Sequence, residues 1–379
     1  MRNTIFNLTL IVITAISTLI AQQPDDIKHT IVSIEKGRFH GWPANNGIWV
    51  WGNEILVGFT QTDYEETESH NIKNDSPLLS KLARSLDGGK TWRVFDPENY
   101  VGDNGKKTRL TEPINFLKEG FALRISSDTY HGNKDPEGQF FYSYDKGNSW
   151  NGPFYLGEVS KFSRFNGYVL TPRTDYLVLG EKECLIFISS RIPETGMSDK
   201  ISVIQTADGG LTFQLVADYV VPASDPHRAA MPNTVRISDN ELVMSVRRRV
   251  IADNTKNWID LYYSNDLGKT WEFRSKIGDT GAYNGNPPSL VKLNDGRLCA
   301  VYGDRNSSRI VGRYSSDDGK TWTEEFVIRD NFYTRERQDM KDLGYCRVVQ
   351  NRDGEVVAIY YWATEENPEQ HIAASIWKP

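Results

Sequence analysis

Ser85-Leu86-Asp87-Gly88-Gly89-Lys90-Thr91-Trp92 is the stretch whose reading decides the fold, because the chain returns to its pattern four more times. The other copies run Ser143-Tyr144-Asp145-Lys146-Gly147-Asn148-Ser149-Trp150, Thr206-Ala207-Asp208-Gly209-Gly210-Leu211-Thr212-Phe213, Ser264-Asn265-Asp266-Leu267-Gly268-Lys269-Thr270-Trp271 and Ser315-Ser316-Asp317-Asp318-Gly319-Lys320-Thr321-Trp322. Such spacing describes a β-hairpin turn. The Asp and Ser or Thr oxygens bond nearby backbone N–H groups, the Gly takes φ > 0, and the aromatic packs back on the turn. These Asp residues are fasteners and not catalytic candidates. Successive copies start 58, 63, 58 and 51 residues apart, a period that predicts four-stranded units arranged as a propeller.

Working outward, each unit carries a pair of apolar runs joined by a tight polar turn. They are Gly47–Trp51 with Glu54–Phe59, Ile114–Leu117 with Phe121–Ile125, Tyr176–Leu179 with Cys184–Ser189, Thr234–Ile237 with Glu241–Val246, Ser289–Leu293 with Arg297–Tyr302, and Cys346–Gln350 with Glu355–Tyr361. Six β-branched and aromatic hairpins with no helical period predict an all-β, six-bladed propeller. The last unit has no turn motif and lacks a strand after His371–Trp377, so Thr30–Glu35 is expected to complete that blade and close the ring, removing exposed sheet edges. Units of about 60 residues use the whole of the 379, so one domain over 22–379 is expected. A closed ring makes a monomer the default.

The first 21 residues read as a secretory signal: Arg2, an apolar run from Ile5 to Ile20, then polar Gln22-Gln23 after Ala21. No Cys follows for a lipid anchor, so the mature chain is expected to be secreted or periplasmic with no membrane attachment. Cys184, Cys299 and Cys346 have no framework spacing and are read as free. The six His form no metal-binding pattern, and glycine-rich phosphate loops are absent, so no metal or cofactor is expected. A net charge of −6 argues against nucleic acid as a partner.

Against that acidic background, arginine is concentrated locally. Arg247-Arg248-Arg249 ends the hairpin of blade four, Arg305 and Arg309 follow that of blade five, and Arg173, Arg236 and Arg347 open or sit in inner strands. Clustered guanidinium groups suit a carboxylate or sulfate. Alternation along a strand lets at most two of Arg247–Arg249 face one way.

Five such turns on a six-bladed propeller resemble the sialidase (neuraminidase) superfamily, over nearly all of the mature chain. The resemblance implies three arginines that clamp a sugar carboxylate, a Tyr nucleophile assisted by a Glu, and an Asp acid/base. Carried over by motif, Tyr345 in Tyr345-Cys346-Arg347 through Asp353-Gly354 matches the nucleophile, Arg309 the third arginine, Arg247 the second, with Arg248 and Arg249 as alternates, and Asp63 the acid/base. Two positions depart. His40-Gly41-Trp42-Pro43 has Gly where the family has its first arginine, with Arg38 close before it, and Met231-Pro232-Asn233-Thr234 contains no Glu.

Three functions follow. The first is a sialidase-type glycoside hydrolase that releases a terminal acidic sugar from an oligosaccharide or polysaccharide, with Asp63, Glu65, Glu112 or Asp175 as acids. The second is a lyase or dehydratase on uronate-terminated oligosaccharides, in which His40 or Tyr345 removes the proton α to an arginine-held carboxylate. The third is a propeller that binds anionic glycans without turnover. Across these readings the candidate catalytic residues are Tyr345, His40 and Asp63. Those expected to bind substrate are Arg38, Asn45, Asn46, Arg173, Arg236, Arg247, Arg248, Arg309 and Arg347. The loop residues His70, His131 and His227 are read as structural.

Overall fold

The fold is seen in a computed structural model, which describes residues 23–24, 26–98, 100, 105–127, 137–193, 199–335 and 340–379. The expected signal segment and His131 lie outside the described residues. Six antiparallel sheets follow one another along the chain as the six blades. In blades one and three to six, the innermost strand pairs with the next strand through the hairpin expected from the apolar runs, as in Gly47–Trp51 with Glu54–Asp63 and Gly344–Gln350 with Val356–Trp362.

All five turn motifs make the same bonds. The Ser or Thr hydroxyl accepts the Gly amide at 2.8 Å in every copy. The Asp takes the hydroxyl of the following Thr or Ser at 2.6 or 2.7 Å. Slight burial pushes the Asp87 carboxyl up, but the bonds from Thr91, Ser85 and Lys90 prevail and bring it to about 2. The motif aromatics pack into the seams between blades: Trp150 joins Trp49, Leu56, Leu82 and Phe141 in one buried cluster.

Ring closure follows the expectation, with the strand at Lys28–Ser33. It pairs antiparallel with His371–Trp377 as the outermost strand of the blade whose innermost strand is Gly344–Gln350. Residues from the two ends of the chain, such as Lys28 and Ile376, therefore pair in one sheet, and the buried cluster that includes Val32, Phe39, Ile359 and Ile372 seals blade six against blade one.

Blade two differs from the sequence expectation. Among the described residues it has three strands, Ala122–Ser126, Gln139–Ser143 and Asn151–Tyr155, and Ile114–Leu117 is not a strand. The reason is where that run spends its backbone donors: Ile114 N–H goes to Gly209 O at 2.9 Å and Phe116 N–H to Glu181 O at 2.8 Å, both in blade three. Ile114 and Phe116 are instead buried between the two blades with Phe140 and Phe213. The axial edge of Ala122–Ser126 is thus left without a strand partner, and side chains cap it. Trp49 Nε1–H donates to Leu123 O at 3.2 Å, Leu123 N–H to the Tyr176 hydroxyl at 3.4 Å, and Ile125 N–H to Thr174 Oγ1 at 3.2 Å. A buried edge would otherwise cost the desolvation of each orphaned group.

Candidate active site at the mouth of the propeller

The inner strands all begin at one end of the ring, and there the backbone departs from regular β geometry. Trp42, Met231 and Tyr345, at the tops of blades one, four and six, have φ of 57°, 52° and 49°. The last two coincide with shifts of register between Ala230 and Asn233 and between Gly344 and Arg347. Left-handed conformations at non-glycine residues cost on the order of 1–3 kcal/mol each and cluster at functional sites.

Tyr345 lies at the centre of this end. Its amide donates to Asn286 Oδ1 at 3.0 Å, its ring packs with Tyr361 at 6.0 Å between centroids, and it is buried with Phe39, Trp42 and Met231. Its hydroxyl accepts Arg247 Nη1–H at 3.3 Å. Arg247, itself buried, is pinned by the carbonyls of Asn284 and Gly285, at 3.1 and 3.2 Å. Arg249 reaches Asn284 Oδ1 from the same side of the strand.

A second group joins it, and sequence reasoning underrated all its members. The Asp342 carboxylate is fully buried; one oxygen accepts the Tyr361 hydroxyl at 2.5 Å and faces His70 Nδ1 at 2.8 Å. The His70 ring stands edge-on to Trp42 at 5.1 Å. Burial pushes the imidazole down, but the Asp342 charge and hydrogen bond prevail and hold it above 6.5. Burial likewise pushes Asp342 up, while His70, Arg305 and Tyr361 bring it below its ordinary value. His70 and Asp342 stand 272 residues apart, so no local spacing announces the pair. Arg305 occupies the blade-five place expected of Arg309. It is buried beside Tyr361, 3.4 Å from that hydroxyl, and bonds the Tyr283 carbonyl. Arg309 opens the next strand and is exposed. The turn between Asp304 and Arg309 reverses the chain, and only the arginine at its start is buried.

Blade one contributes one helical turn, Pro43–Asn46, between its two inner segments. Asn45 accepts Arg173 Nε–H at 3.1 Å, and Asn46 bonds the Trp42 carbonyl at 3.4 Å, so Asn46 is spent locally. Trp42, Asn45 and Arg173 line a small cavity of about 40 Å³ with Arg124 and Ser127. Arg347, two residues below Tyr345, donates to the carbonyls of Ala44 and Thr174 at 2.7 and 3.0 Å and ties blades six, one and three across the axis.

Other expected residues fall elsewhere. Arg38 and Asp63 are paired to each other at the rim, and Asp63 also accepts the Ser76 hydroxyl at 2.9 Å. His40 is buried with both ring nitrogens engaged, Nδ1 by Ser33 and Nε2 by Gln61, each at 2.9 Å, and burial lowers its pKa. It joins blades six and one and faces no opening. Arg248 points away from Arg247, as strand alternation requires, and is bound by Asp225 and Asp260 at 2.7 and 3.2 Å. Arg236 is exposed at the opposite end, on the carbonyls of Ser238 and Asp239. Glu65 and Glu112 are exposed on loops. His227 sits 3.3 Å from Asp225. Asp175 lies deeper in the channel, bonded to Thr234. All three cysteines are free and buried. Among the described residues no group of His, Cys, Asp and Glu gathers as a metal site, and no helix is long and apolar enough to cross a membrane.

Similarity to known proteins bears on this architecture. No curated protein matches the chain. Among solved structures, a Dyadobacter fermentans protein of unknown function is 21% identical with a TM-score of 0.66, over 93% of this chain and 99% of that one. A Trypanosoma rangeli sialidase mutant displaying trans-sialidase activity is 14% identical with a TM-score of 0.57, over 94% of this chain and 60% of that one. An α-L-arabinofuranosidase from Fusarium graminearum is 15% identical with a TM-score of 0.54, over 90% and 97%. At these identities the likeness is one of fold. The model of the BNR repeat-like domain matches residues 103–358, and the chain belongs to that family of sialidase-like β-propellers.

Proposed function

We propose that this protein is an exported glycoside hydrolase of the sialidase type, acting on a terminal acidic sugar, sialic acid-like or uronic, of a glycan or polysaccharide fragment. The observation that carries the reading is the contact of Arg247 with the Tyr345 hydroxyl, in a mouth that also holds Arg305 and the His70–Asp342 pair. Tyr345 is the nucleophile of this reading and reacts as the phenolate, whose negative charge the adjacent Arg247 guanidinium stabilises. With Nδ1 taken by Asp342, the protonated His70 has Nε2–H to give to the departing oxygen. Tyr345 oxygen bonds the anomeric carbon as the glycosidic C–O bond breaks. Water then attacks the same carbon, returns a proton to His70 and frees Tyr345. Arginine suits the sugar carboxylate, and the glycoside-cleaving enzymes among the structural relatives support the reaction class.

The His70–Asp342 pair also favours a second reading. A phenol and an imidazole beside an arginine-held uronate suit β-elimination: the base takes the proton at C5, the C4–O bond breaks, and C4=C5 forms without water. His40, with both nitrogens bound, is not the base. Mass spectrometry of products from sialyl and uronyl oligosaccharides separates the readings. Hydrolysis adds one water across the two fragments, and elimination adds none. Binding without turnover would leave neither reading standing.

A further inference from the structure

The missing inner strand of blade two leaves the channel open at the end opposite the mouth. There a cavity of about 310 Å³ is lined by Trp49, Trp51, Phe121, Asp175, Asn233 and Arg347 among others. That volume lies within the range of about 300–1,000 Å³ that small-molecule sites occupy. A lining that combines aromatic side chains with a few polar groups is the chemistry of a site for a polyhydroxylated ring.

Two charged groups inside it are nine-tenths buried, Asp175 at 5% and Arg347 at 6% exposure. Asp175 takes the Thr234 amide at 3.1 Å and the Thr234 hydroxyl at 2.8 Å, one on each oxygen, which leaves acceptor capacity on both. Arg347 gives Nη2 to two carbonyls, its Nε–H is closed off from solvent with no hydrogen-bond partner among the described residues, and its side chain lines the cavity. Asp175 and Arg347 feel each other's charge, and no ion pair joins them among the described residues. An acceptor and a donor separated across a polar cavity match a molecule whose neighbouring hydroxyls can do both. An anion would meet the Asp175 carboxylate and a cation the Arg347 guanidinium, so the ligand is neutral.

We propose that this cavity is a second glycan site, which holds one neutral pentose or hexose unit, with Asp175 and the Arg347 guanidinium bonding its hydroxyls and Trp51 against its ring. It is independent of the mouth and does not rest on the activity proposed there. Burial drives Asp175 up to about 7 against the bonds from Thr234 and Asn233 and the charge of Arg347, and drives Arg347 down to about 10.

The test titrates the full chain carrying Tyr345→Phe with methyl β-galactopyranoside, methyl α-arabinofuranoside and methyl β-glucuronide, read by ligand-observed NMR and tryptophan fluorescence. Binding of a neutral glycoside is expected, weakened about tenfold or more by Asp175→Asn and by Trp51→Ala, and unchanged by Arg247→Ala. Trp51 lies at the rim, so its variant carries the test should Asp175→Asn fail to fold. Failure of every neutral glycoside to bind, unchanged affinity in Trp51→Ala, or loss in Arg247→Ala overturns the proposal. Inactivity of the mouth on every substrate leaves it standing.

Discussion

The Tyr345 hydroxyl sits 3.3 Å from Nη1 of Arg247, whose own position is fixed by the carbonyls of Asn284 and Gly285. Separate parts of the ring meet in that contact: Tyr345 comes from blade six, Arg247 from blade four and the two carbonyls from the loop that joins blade four to blade five. The phenol therefore faces a positive charge that the fold holds still, on a backbone segment in the left-handed region.

Replacing Tyr345 with Phe keeps the ring among Phe39, Trp42 and Tyr361 and removes only the hydroxyl. The turnover rate is expected to fall about 10²–10⁴-fold, with the thermal unfolding midpoint nearly unchanged. Steady-state kinetics and a melting curve on the same preparation check both halves. A comparable loss of stability would make Tyr345 a packing residue.

Arg305 and Arg309 bracket one turn and are expected to behave oppositely. Arg305→Ala removes a buried cation beside Tyr361 and Asp342 and should raise KM for an acidic substrate about tenfold or more. Arg309→Ala alters an exposed side chain and should change stability by less than about 0.5 kcal/mol and leave KM alone. Parallel KM measurements decide it, and equal effects would place the substrate elsewhere.

His70 gives the pH dependence. Its folded pKa stands above 6.5 through Asp342, so its stabilising contribution is complete below that value and is lost as pH rises through the raised one. If the protonated ring is the acid, the alkaline limb of kcat/KM lies above 6.5, and Asp342→Asn moves it to lower pH. Asp63→Asn, at the rim with Arg38, should leave that limb in place. A limb that follows Asp63 and ignores Asp342 would reassign the acid.

Asp175 works in the opposite direction on stability. Burial raises its pKa from 3.8 to about 7, so the unfolded chain ionises first and the folded state loses stability as pH climbs between those values. Asp175→Asn should gain on the wild type over the same interval and hold its advantage above it. Denaturant unfolding at a series of pH values measures this, and a difference that does not vary with pH would contradict the burial argument.

The blades were legible because the five Ser/Thr-x-Asp-x-Gly turns and the apolar hairpins are local patterns whose bonds close within a few residues. Blade two misled for the same reason. Ile114–Leu117 is apolar enough for a strand, but its amides are claimed by Gly209 and Glu181, which local periodicity does not register. At the mouth, motif position singles out Tyr345 and Arg247, which meet in the fold, and alternation sets Arg248 against Arg247. The choice of Arg305 over Arg309 depends on the turn between them. The pairing of His70 with Asp342 depends on the ring closing, which brings a blade-one loop against the start of blade six. His40 looked catalytic beside Trp42-Pro43, yet its neighbours in space, Ser33 and Gln61, engage both nitrogens.

The most direct test is a mass-spectrometric time course of the purified chain and its Tyr345→Phe variant on terminal sialyl and uronyl oligosaccharides. The account predicts a free terminal acidic sugar, with one water added across the two products, formed by the wild type and nearly absent with Tyr345→Phe. An intact panel after prolonged incubation, or equal turnover by the two proteins, would contradict it.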